Sequence, residues 1–169
     1  MDIQNIYNSI AELSREIVRE CTARSVKIST AESCTGGMIS GAVTSVSGSS
    51  AVIELGVCSY SNRIKHEILH VPAEVLKQFT EYSVECAAEM AKGVMELSGA
   101  DYSVSTTGVA GPTGGSAEHP VGEVCIAVSG RNGCRSERFL FAQGSADREL
   151  IRALAAEKAL SMLICEIKK

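Results

Sequence analysis

Three segments of the chain contain the side chains best suited to nucleophilic chemistry. Ser33 lies in the first, at residues 30–37, Tyr60 and Lys65 lie in the second, and the third is a glycine-rich stretch at residues 106–115. A serine paired with a lysine can attack an amide without a histidine, provided that the lysine is neutral. The lysine pKa must then be lowered from about 10.4 by burial or by positive neighbours. We therefore predict Ser33 as the nucleophile, Lys65 as the general base and Tyr60 as a proton relay or oxyanion donor.

Two other interpretations of the Ser33 turn stay open. A serine or threonine before a helix is often only an N-cap, which would give Ser33 or Thr35 a structural role. Cys34 is a rival nucleophile because a helix start favours the thiolate, although no histidine has an evident place beside it. Arg63 is a candidate for the positive neighbour that would keep Lys65 neutral.

The main chain of the same turn is suited to negative charge. Alternating apolar residues before Ser33 predict a strand, and the small residues after Gly37 predict a helix. N–H groups at a helix start lack partners and carry partial positive charge, so we expect those near Thr35 and Gly36 to stabilise an oxyanion. Glycine at positions 36 and 37 would let a ligand approach the backbone. Thr35, Gly36 and Gly37 are accordingly predicted to contact the substrate.

The stretch from Thr106 to Gly115 is not a Walker A loop, because no Gly-Lys-Ser/Thr follows it. Such a stretch is often only a turn, yet its consecutive N–H groups can also bind a phosphate or a carboxylate. The segment from Glu118 to Gly122 is expected to rim the same pocket. Because ligands of open α/β sheets gather at strand ends, we expect all three segments to meet in one pocket.

A zinc site is the alternative offered by the stretch His66-Glu67-Ile68-Leu69-His70. It matches the H-E-x-x-H pattern, in which two histidines on one helix face bind zinc, and Glu89 is a conceivable third ligand. Pro72 ends the predicted helix at once, and two surface histidines on a short helix also explain the pattern. We therefore predict no metal and no cofactor, and keep a zinc peptidase as the third hypothesis.

Composition excludes several classes of function. The chain has 169 residues, of which 45% are hydrophobic, enough for one domain with a substantial core. A net charge of −4 disfavours nucleic-acid binding. No apolar stretch reaches the roughly 20 residues of a membrane span, and the first residues lack the pattern of a signal peptide. Seven cysteines without a C-x-x-C pair indicate reduced thiols, and together these features predict a cytoplasmic protein.

The periodicity of the apolar residues predicts alternating helices and strands. Helices are expected at 3–23, 37–46, 62–69, 73–79, 83–97 and 146–167, and strands at 26–30, 51–61, 101–107, 121–129 and 137–141. The mostly apolar run at 51–61 is typical of a buried strand. Asn132-Gly133 favours a hairpin, which makes the last two strands antiparallel. This order of elements predicts an α/β fold, a three-layer α/β/α sandwich with a mixed β-sheet.

Four motifs span nearly the whole chain. They are Thr30-Ala31-Glu32-Ser33-Cys34-Thr35-Gly36-Gly37, Tyr60-Ser61-Asn62 with Lys65, Thr107-Gly108-Val109-Ala110-Gly111-Pro112 with Gly114-Gly115, and Pro120-Val121-Gly122. In order and spacing they resemble the CinA C-terminal domain family, the family of nicotinamide-nucleotide amidases. The resemblance implies a stand-alone domain over residues 1–169. It also implies hydrolysis of the carboxamide of nicotinamide mononucleotide to nicotinate mononucleotide and ammonia, without a metal.

By position, the resemblance makes Ser33 the nucleophile, Lys65 the general base and Tyr60 its helper. The further positions that it places at the substrate are Asn62, Thr107, Gly108, Ala110 and Gly111. The loop at residues 108–115 is our candidate for binding the ribose phosphate. The implied partner is a small-molecule nucleotide substrate, with neither nucleic acid nor membrane. The resemblance is compatible with a homodimer or a higher homo-oligomer, and nothing in the composition establishes either.

Three positions depart from the family pattern. His119 stands where lysine is usual, which weakens anion binding because histidine is mostly neutral at neutral pH. His70 stands where glycine is usual, and this change creates the zinc-like pattern. Glu81-Tyr82 replace a usual Gly-Ala pair. Because the family includes members without demonstrated amidase activity, a catalytically silent nucleotide-binding or regulatory domain of the same fold is the second hypothesis.

Overall fold

A five-stranded β-sheet forms the centre of the molecule. The computed structural model describes residues 2–141 and 147–169. The strands are β1 (Ile28–Glu32), β2 (Ile53–Cys58), β3 (Tyr102–Gly108), β4 (Glu123–Gly130) and β5 (Gly133–Leu140). Their order across the sheet is β2-β1-β3-β4-β5. β1 runs parallel to both of its neighbours, whereas the pairs β3–β4 and β4–β5 are antiparallel, so the predicted mixed sheet is confirmed.

Helices cover both faces of the sheet. They are α1 (Ile3–Arg24), α2 (Met38–Thr44), α3 (Asn62–Leu69), α4 (Ala73–Phe79), α5 (Val84–Ser98) and α6 (Arg148–Ile167). α1, α2 and α6 bury apolar side chains against one face, and α3, α4 and α5 pack on the other. The predicted three-layer α/β/α sandwich is therefore confirmed. None of the helices within the described residues combines the length and the apolar character needed to cross a bilayer.

Apolar stripes of helical period hold the two longest helices together. Ile6, Ile10 and Ile17 of α1 are buried in the same cluster as Leu160 and Leu163 of α6. The cluster also receives side chains from β3 and β4, so α6 is anchored across the middle of the sheet. This packing fixes the position of α6, and with it the first turn of that helix.

The carboxyl ends of the three parallel strands lie at one edge of the sheet, because the strands share a direction. The Ser33 N–H donates to the Thr106 carbonyl oxygen at 2.9 Å, and the Ser59 N–H donates to the Glu32 carbonyl oxygen at 2.8 Å. The loops that follow β1, β2 and β3 therefore begin side by side, as the sequence predicts.

A close contact that only glycine permits docks α3 against α5. A Cβ on Gly93 of α5 would lie 1.9 Å from the carbonyl oxygen of Leu69, the last residue of α3. Ser61 caps the other end of α3 by accepting a hydrogen bond from the Ile64 N–H at 3.3 Å. Both ends of α3 are thus fixed, and Lys65 lies on its buried side.

β2 is an edge strand, and the prediction that it is buried is wrong. Glu54, Gly56 and Cys58 are exposed, whereas the residues between them are half-buried. The reason is topological: β1 takes β3 as its second neighbour, which leaves β2 with an unpaired edge. Its apolar residues therefore alternate with exposed ones, as in a sheet edge packed on one face.

Several predicted strand boundaries shift by a few residues: β1 begins at Ile28 and not at residue 26, and β4 begins at Glu123 and not at residue 121. β5 begins at Gly133, earlier than predicted, because the two-residue hairpin turn pairs Gly130 directly with Gly133. The predicted start of the last helix, at residue 146, lies outside the described residues. In the described part of the chain that helix begins at Arg148.

Candidate active site

The loops after β1, β2 and β3 enclose a cavity of about 380 Å³, a volume typical of small-molecule sites. The predicted site residues that line it are Ser33, Tyr60, Asn62, Lys65, Gly108, Ala110 and Gly111. The walls are completed by Cys34, Ser61, Glu81, Tyr82, Val109, Thr113, Gly114 and Arg148. The structure thus brings segments that are distant in the sequence to one pocket.

The side chains of Ser33 and Lys65 meet inside this cavity. Lys65 Nζ donates hydrogen bonds to Ser33 Oγ at 3.1 Å and to the Ser59 carbonyl oxygen at 3.0 Å. Ser33 is 8% exposed and Lys65 only 1%, so the ammonium group has lost nearly all contact with water. Burial therefore lowers the pKa of Lys65, against the opposing influence of nearby acidic groups that include Glu81. A lysine with a lowered pKa can act as a free base toward the serine hydroxyl.

Arg63 does not supply the positive neighbour predicted for Lys65. Its side chain lies on the outer side of α3, where it pairs with Glu67. Lys65 points to the opposite, buried side of the same helix. The lowered pKa of Lys65 therefore results from burial and not from a neighbouring cation.

The N-terminus of α2 holds an internal carboxylate. Glu32, fully buried at the end of β1, accepts hydrogen bonds from the N–H groups of Gly37, Ile39 and Ser40 at 3.0, 3.1 and 2.8 Å. The hydroxyl groups of Ser40 and Thr35 also donate to it, at 2.9 and 2.7 Å. The helix dipole favours negative charge at this position. These N–H groups are thus engaged by Glu32 and are not free to bind an oxyanion.

Four of the residues predicted to contact the substrate do not line the cavity, namely Thr35, Gly36, Gly37 and Thr107. Thr35 and Gly37 are engaged in the hydrogen bonds to the buried carboxylate just described. The Gly36 N–H closes a turn by donating to the Ser33 carbonyl oxygen at 3.1 Å. The Thr107 hydroxyl donates to the Glu81 carbonyl oxygen at 2.5 Å. These residues hold the cavity walls in place from behind.

Replacing Glu32 with glutamine is expected to destabilise the fold. The amide NH₂ would face N–H donors of α2 where an acceptor oxygen now lies, so buried groups would lose their partner. We expect the free energy of unfolding, measured with denaturant, to fall by about 2–4 kcal/mol. The matched control is Glu54→Gln on the exposed edge of β2, with a change below about 0.5 kcal/mol. Equal unfolding free energies in the two variants would contradict the role of Glu32.

The structure disfavours Cys34 as the nucleophile. Its side chain is 5% exposed, and burial raises the pKa of the thiol to about 12. A thiol with such a pKa is protonated at neutral pH and therefore a weak nucleophile. The favourable influence expected from the helix start does not reach it, since Glu32 occupies the positive end of α2.

Arg148 holds Tyr60 at the mouth of the cavity. The guanidinium group of Arg148 donates to Tyr60 Oη at 2.7 Å and to the Gly111 carbonyl oxygen at 2.7 Å. Tyr60 is 63% exposed, and its hydroxyl is bound to this arginine and not to Lys65 or Ser33. Tyr60 thus lies at the rim of the cavity, and its role as a proton relay or oxyanion donor stays a prediction.

Sequence reasoning misses the two arginines of α6. Arg152, one turn after Arg148, donates to the carbonyl oxygens of Cys34 and Thr35 at 3.2 and 2.7 Å, which braces the loop that carries Ser33. A signal for both is present in the sequence. Cations are unfavourable in the first turns of a helix, so two arginines four residues apart there indicate partners elsewhere in the fold.

The glycine-rich loop after β3 lines the cavity with Gly108, Val109, Ala110, Gly111, Thr113 and Gly114. Gly111 and Gly114 adopt left-handed backbone conformations, with φ angles of 71° and 85°. Within residues 2–141 and 147–169, no acceptor is present for the N–H groups of Ala110, Gly111 and Gly114. Main-chain N–H groups without a partner, in a loop beside the guanidinium group of Arg148, are suited to binding a phosphate group.

The stretch from His66 to His70 does not form the histidine pair that the zinc hypothesis requires. His70 has a left-handed backbone, with a φ angle of 55°, and lies past the end of α3 as its cap. The His66 ring is hydrogen-bonded to the Val71 carbonyl oxygen at 2.8 Å. In the part of the chain that the structure describes, no group of three His, Cys, Asp or Glu side chains is placed to hold a metal ion.

His119 packs behind the cavity wall and does not rim the mouth. Its Nδ1 lies 2.8 Å from Glu123 Oε1, and its Nε2 lies 3.3 Å from Thr80 Oγ1. The imidazole also contacts the Tyr82 ring, with centroids 5.3 Å apart. His119 therefore ties the segment before β4 to the turn that carries Glu81 and Tyr82.

The sequence is similar to known proteins over nearly its whole length. A model of the family described as CinA C-terminal domain matches residues 10–167. A curated relative from Enterobacter agglomerans, named nicotinamide-nucleotide amidohydrolase PncC, is 44% identical over 160 residues, which cover 94% of this chain and 95% of the relative. A CinA-like protein from Geotalea daltonii is 46% identical over 140 residues. That match covers 83% of this chain and 33% of the relative, so the chain spans about a third of that longer protein.

Solved structures share the same architecture. The competence/damage inducible protein CihA from Agrobacterium tumefaciens superposes with a TM-score of 0.91 at 42% sequence identity, over 95% of this chain and 96% of that one. The fold and the sequence thus point to the same group of proteins.

Proposed function

Because this chain belongs to the CinA C-terminal domain family, we propose that it hydrolyses the carboxamide of nicotinamide mononucleotide to nicotinate mononucleotide and ammonia. The observation that carries the proposal is the contact between Ser33 Oγ and the buried Lys65 Nζ at 3.1 Å, inside a cavity of suitable size. It occurs in a chain 44% identical to a relative named for this activity.

Ser33 attacks the amide carbon while neutral Lys65 removes its hydroxyl proton. The resulting tetrahedral intermediate carries an oxyanion near the Ser33 turn. Cys34 lines the cavity next to Ser33, and its N–H group is our candidate for stabilising the oxyanion. It takes the place of the N–H groups at the start of α2, which donate to Glu32.

Protonated Lys65 then gives its proton to the departing nitrogen, which leaves as ammonia, and an ester links the nicotinoyl carbon to Ser33 Oγ. A water molecule, deprotonated by the same lysine, attacks this ester. The carbon–oxygen bond to Ser33 breaks, the serine regains a proton, and the carboxylate product is released. Because Lys65 takes up a proton and gives it back in each half of the cycle, its lowered pKa suits both acylation and deacylation.

The two ends of the nucleotide fit the two ends of the cavity. The amide must reach Ser33 at the inner end, which directs the phosphate outward to the N–H groups of Ala110, Gly111 and Gly114. Arg148 lies beside this loop through its hydrogen bond to Gly111, so its charge supports the phosphate. All the residues of the proposed amidase site thus belong to the same domain. A homodimer and a cytoplasmic location stay predictions from the sequence.

Ammonia release from nicotinamide mononucleotide by the wild-type protein, with EDTA present, tests the proposal. We expect ammonia and nicotinate mononucleotide in equal amounts, at a rate that the chelator does not change. Binding of the nucleotide without turnover would replace the proposal with the silent nucleotide-binding domain. Activity that EDTA abolishes would instead require a metal enzyme.

A further inference from the structure

Among the described residues that line the cavity, Glu81 is the only acidic one, and the hydrolysis itself does not require it. Two contacts from different elements fix its position. Asn62 Nδ2 of α3 donates to Glu81 Oε2 at 3.2 Å, and the Thr107 hydroxyl of β3 donates to the Glu81 carbonyl oxygen. Asn62 lies one turn before Lys65 on α3, so the carboxylate is placed on the lysine side of the cavity.

Glu81 carries a negative charge at neutral pH. Burial acts to raise the pKa of this carboxyl, but hydrogen bonds from its own main chain, Asn62 and Tyr82, together with the charge of Lys65, outweigh burial and hold the pKa below its ordinary value. The same charge acts to raise the pKa of Lys65, which opposes formation of the free base. The charge of Glu81 alone therefore disfavours the neutral lysine that the reaction requires.

We propose that Glu81 selects substrates whose carboxamide is attached to a positively charged ring. This inference rests on the proposed function and deepens it, because the ring nitrogen of an oxidised nicotinamide nucleotide bears a ribosyl group and is a pyridinium cation. A carboxylate on the cavity wall attracts such a ring. The aromatic rings of Tyr60 and Tyr82, also on the wall, can add cation–π contacts.

A bound pyridinium also removes the disadvantage of Glu81 for catalysis. The positive ring compensates the carboxylate and repels the ammonium form of Lys65. The lysine is then more readily neutral when the correct substrate is present than when the cavity is empty. A substrate with a neutral ring would bind without this compensation.

The test compares two ligands that differ in ring charge. Nicotinamide mononucleotide and its 1,4-dihydro form have the same amide, ribose and phosphate, but the dihydro ring is neutral. Calorimetric titration of Ser33→Ala avoids turnover, and we expect it to bind the cationic ligand at least about tenfold more tightly. Adding Glu81→Gln keeps an acceptor for Asn62 and is expected to reduce the ratio to within about twofold, with binding of the dihydro ligand unchanged.

Ser33→Ala with Glu85→Gln is the matched control, because Glu85 is exposed on α5, does not line the cavity and gives the same change in net charge. It is expected to keep the tenfold preference.

A preference for the cationic ligand that survives Glu81→Gln, or an equal loss of affinity for both ligands, would overturn the inference. Hydrolysis by the wild-type protein is assayed in parallel. Turnover combined with an unchanged preference in Glu81→Gln refutes the inference and leaves the proposed function standing, whereas absence of turnover refutes the proposed function.

The pH dependence of kcat/KM distinguishes an electrostatic role of Glu81 from a purely structural one. Removing the negative charge of Glu81 lowers the pKa of Lys65 in the free protein, so the acid limb of kcat/KM is expected to shift to lower pH in Glu81→Gln. Glu85→Gln should leave the limb in place. An unshifted limb in Glu81→Gln would contradict the electrostatic link between Glu81 and the base.

Discussion

The Ser33→Ala variant is expected to bind nicotinamide mononucleotide and to release no measurable ammonia. Without Oγ the acyl-enzyme cannot form, and only direct attack by water remains. We expect kcat to fall by about 10⁴-fold or more, as when other serine hydrolases lose their nucleophile. The dissociation constant should change by less than about threefold, because one small side-chain contact is lost. Steady-state ammonia assays and calorimetric titration measure the two quantities.

Cys34→Ala is the informative comparison for this variant. The Cys34 thiol has a pKa raised to about 12 by burial, so it is not a nucleophile at neutral pH. We expect this variant to retain at least about a tenth of the wild-type kcat, since it loses one sulfur atom from the cavity wall. An inactive Cys34→Ala variant together with an active Ser33→Ala variant would identify Cys34, and not Ser33, as the nucleophile.

The Lys65→Met variant is expected to lose about 10³-fold in kcat while remaining folded. General-base catalysis by a positioned side chain contributes an effect of about this size. Methionine is apolar and similar in length, so it fills the buried position without the desolvation cost of an ammonium group. We therefore expect a melting temperature equal to or above that of the wild type. Ammonia assays and thermal unfolding separate loss of the base from loss of the fold.

The pH dependence of kcat/KM in the wild-type protein also tests whether Lys65 is the base. kcat/KM should rise with pH as Lys65 loses its proton and level off above its pKa, which burial places below 10.5. Lys77→Met, on the exposed side of α4, is the control and should show the same profile. If Lys65→Met kept the wild-type rate and the same rise of kcat/KM with pH, Lys65 would be excluded as the base.

The Ser33–Lys65 pairing could be predicted because its signals are local. A polar segment directly follows each parallel strand, and strands that share a direction end at the same edge of the sheet. Residue type and element order then suffice to bring Ser33 and Lys65 to one pocket. Burial of Lys65 was a chemical requirement of that hypothesis, and the structure shows it.

The partners of the α2 N-terminus could not be predicted in the same way. A free helix start attracts any anion, and sequence periodicity does not show whether the anion is a ligand or an internal side chain. Glu32 lies at the end of a buried strand, where a carboxylate is expected only with strong partners. An acidic residue in a strand predicted to be buried indicates that the carboxylate has internal partners. The sequence does not show which partners these are, because the five donors come from residues 35–40 and reach Glu32 only when the loop folds back.

The contribution of α6 to the site was missed for a different reason. The apolar stripe of this helix accounts for its packing, so its polar first turn seems unremarkable in the sequence. Only the tertiary arrangement shows that Arg148 reaches Tyr60 and Gly111, and that Arg152 reaches the Ser33 loop. These contacts span between 37 and 118 residues of sequence, and they depend on how the sheet and helix layers stack, which local patterns do not encode.

Trapping of the acyl-enzyme with hydroxylamine tests the central claim most directly. An ester between the nicotinoyl group and Ser33 partitions between water and hydroxylamine, whether or not it accumulates. We predict that the wild-type protein converts nicotinamide mononucleotide to its hydroxamate in proportion to the hydroxylamine concentration, and that Ser33→Ala forms none. Ammonia release with nicotinate mononucleotide as the sole product at every hydroxylamine concentration would contradict covalent catalysis by Ser33.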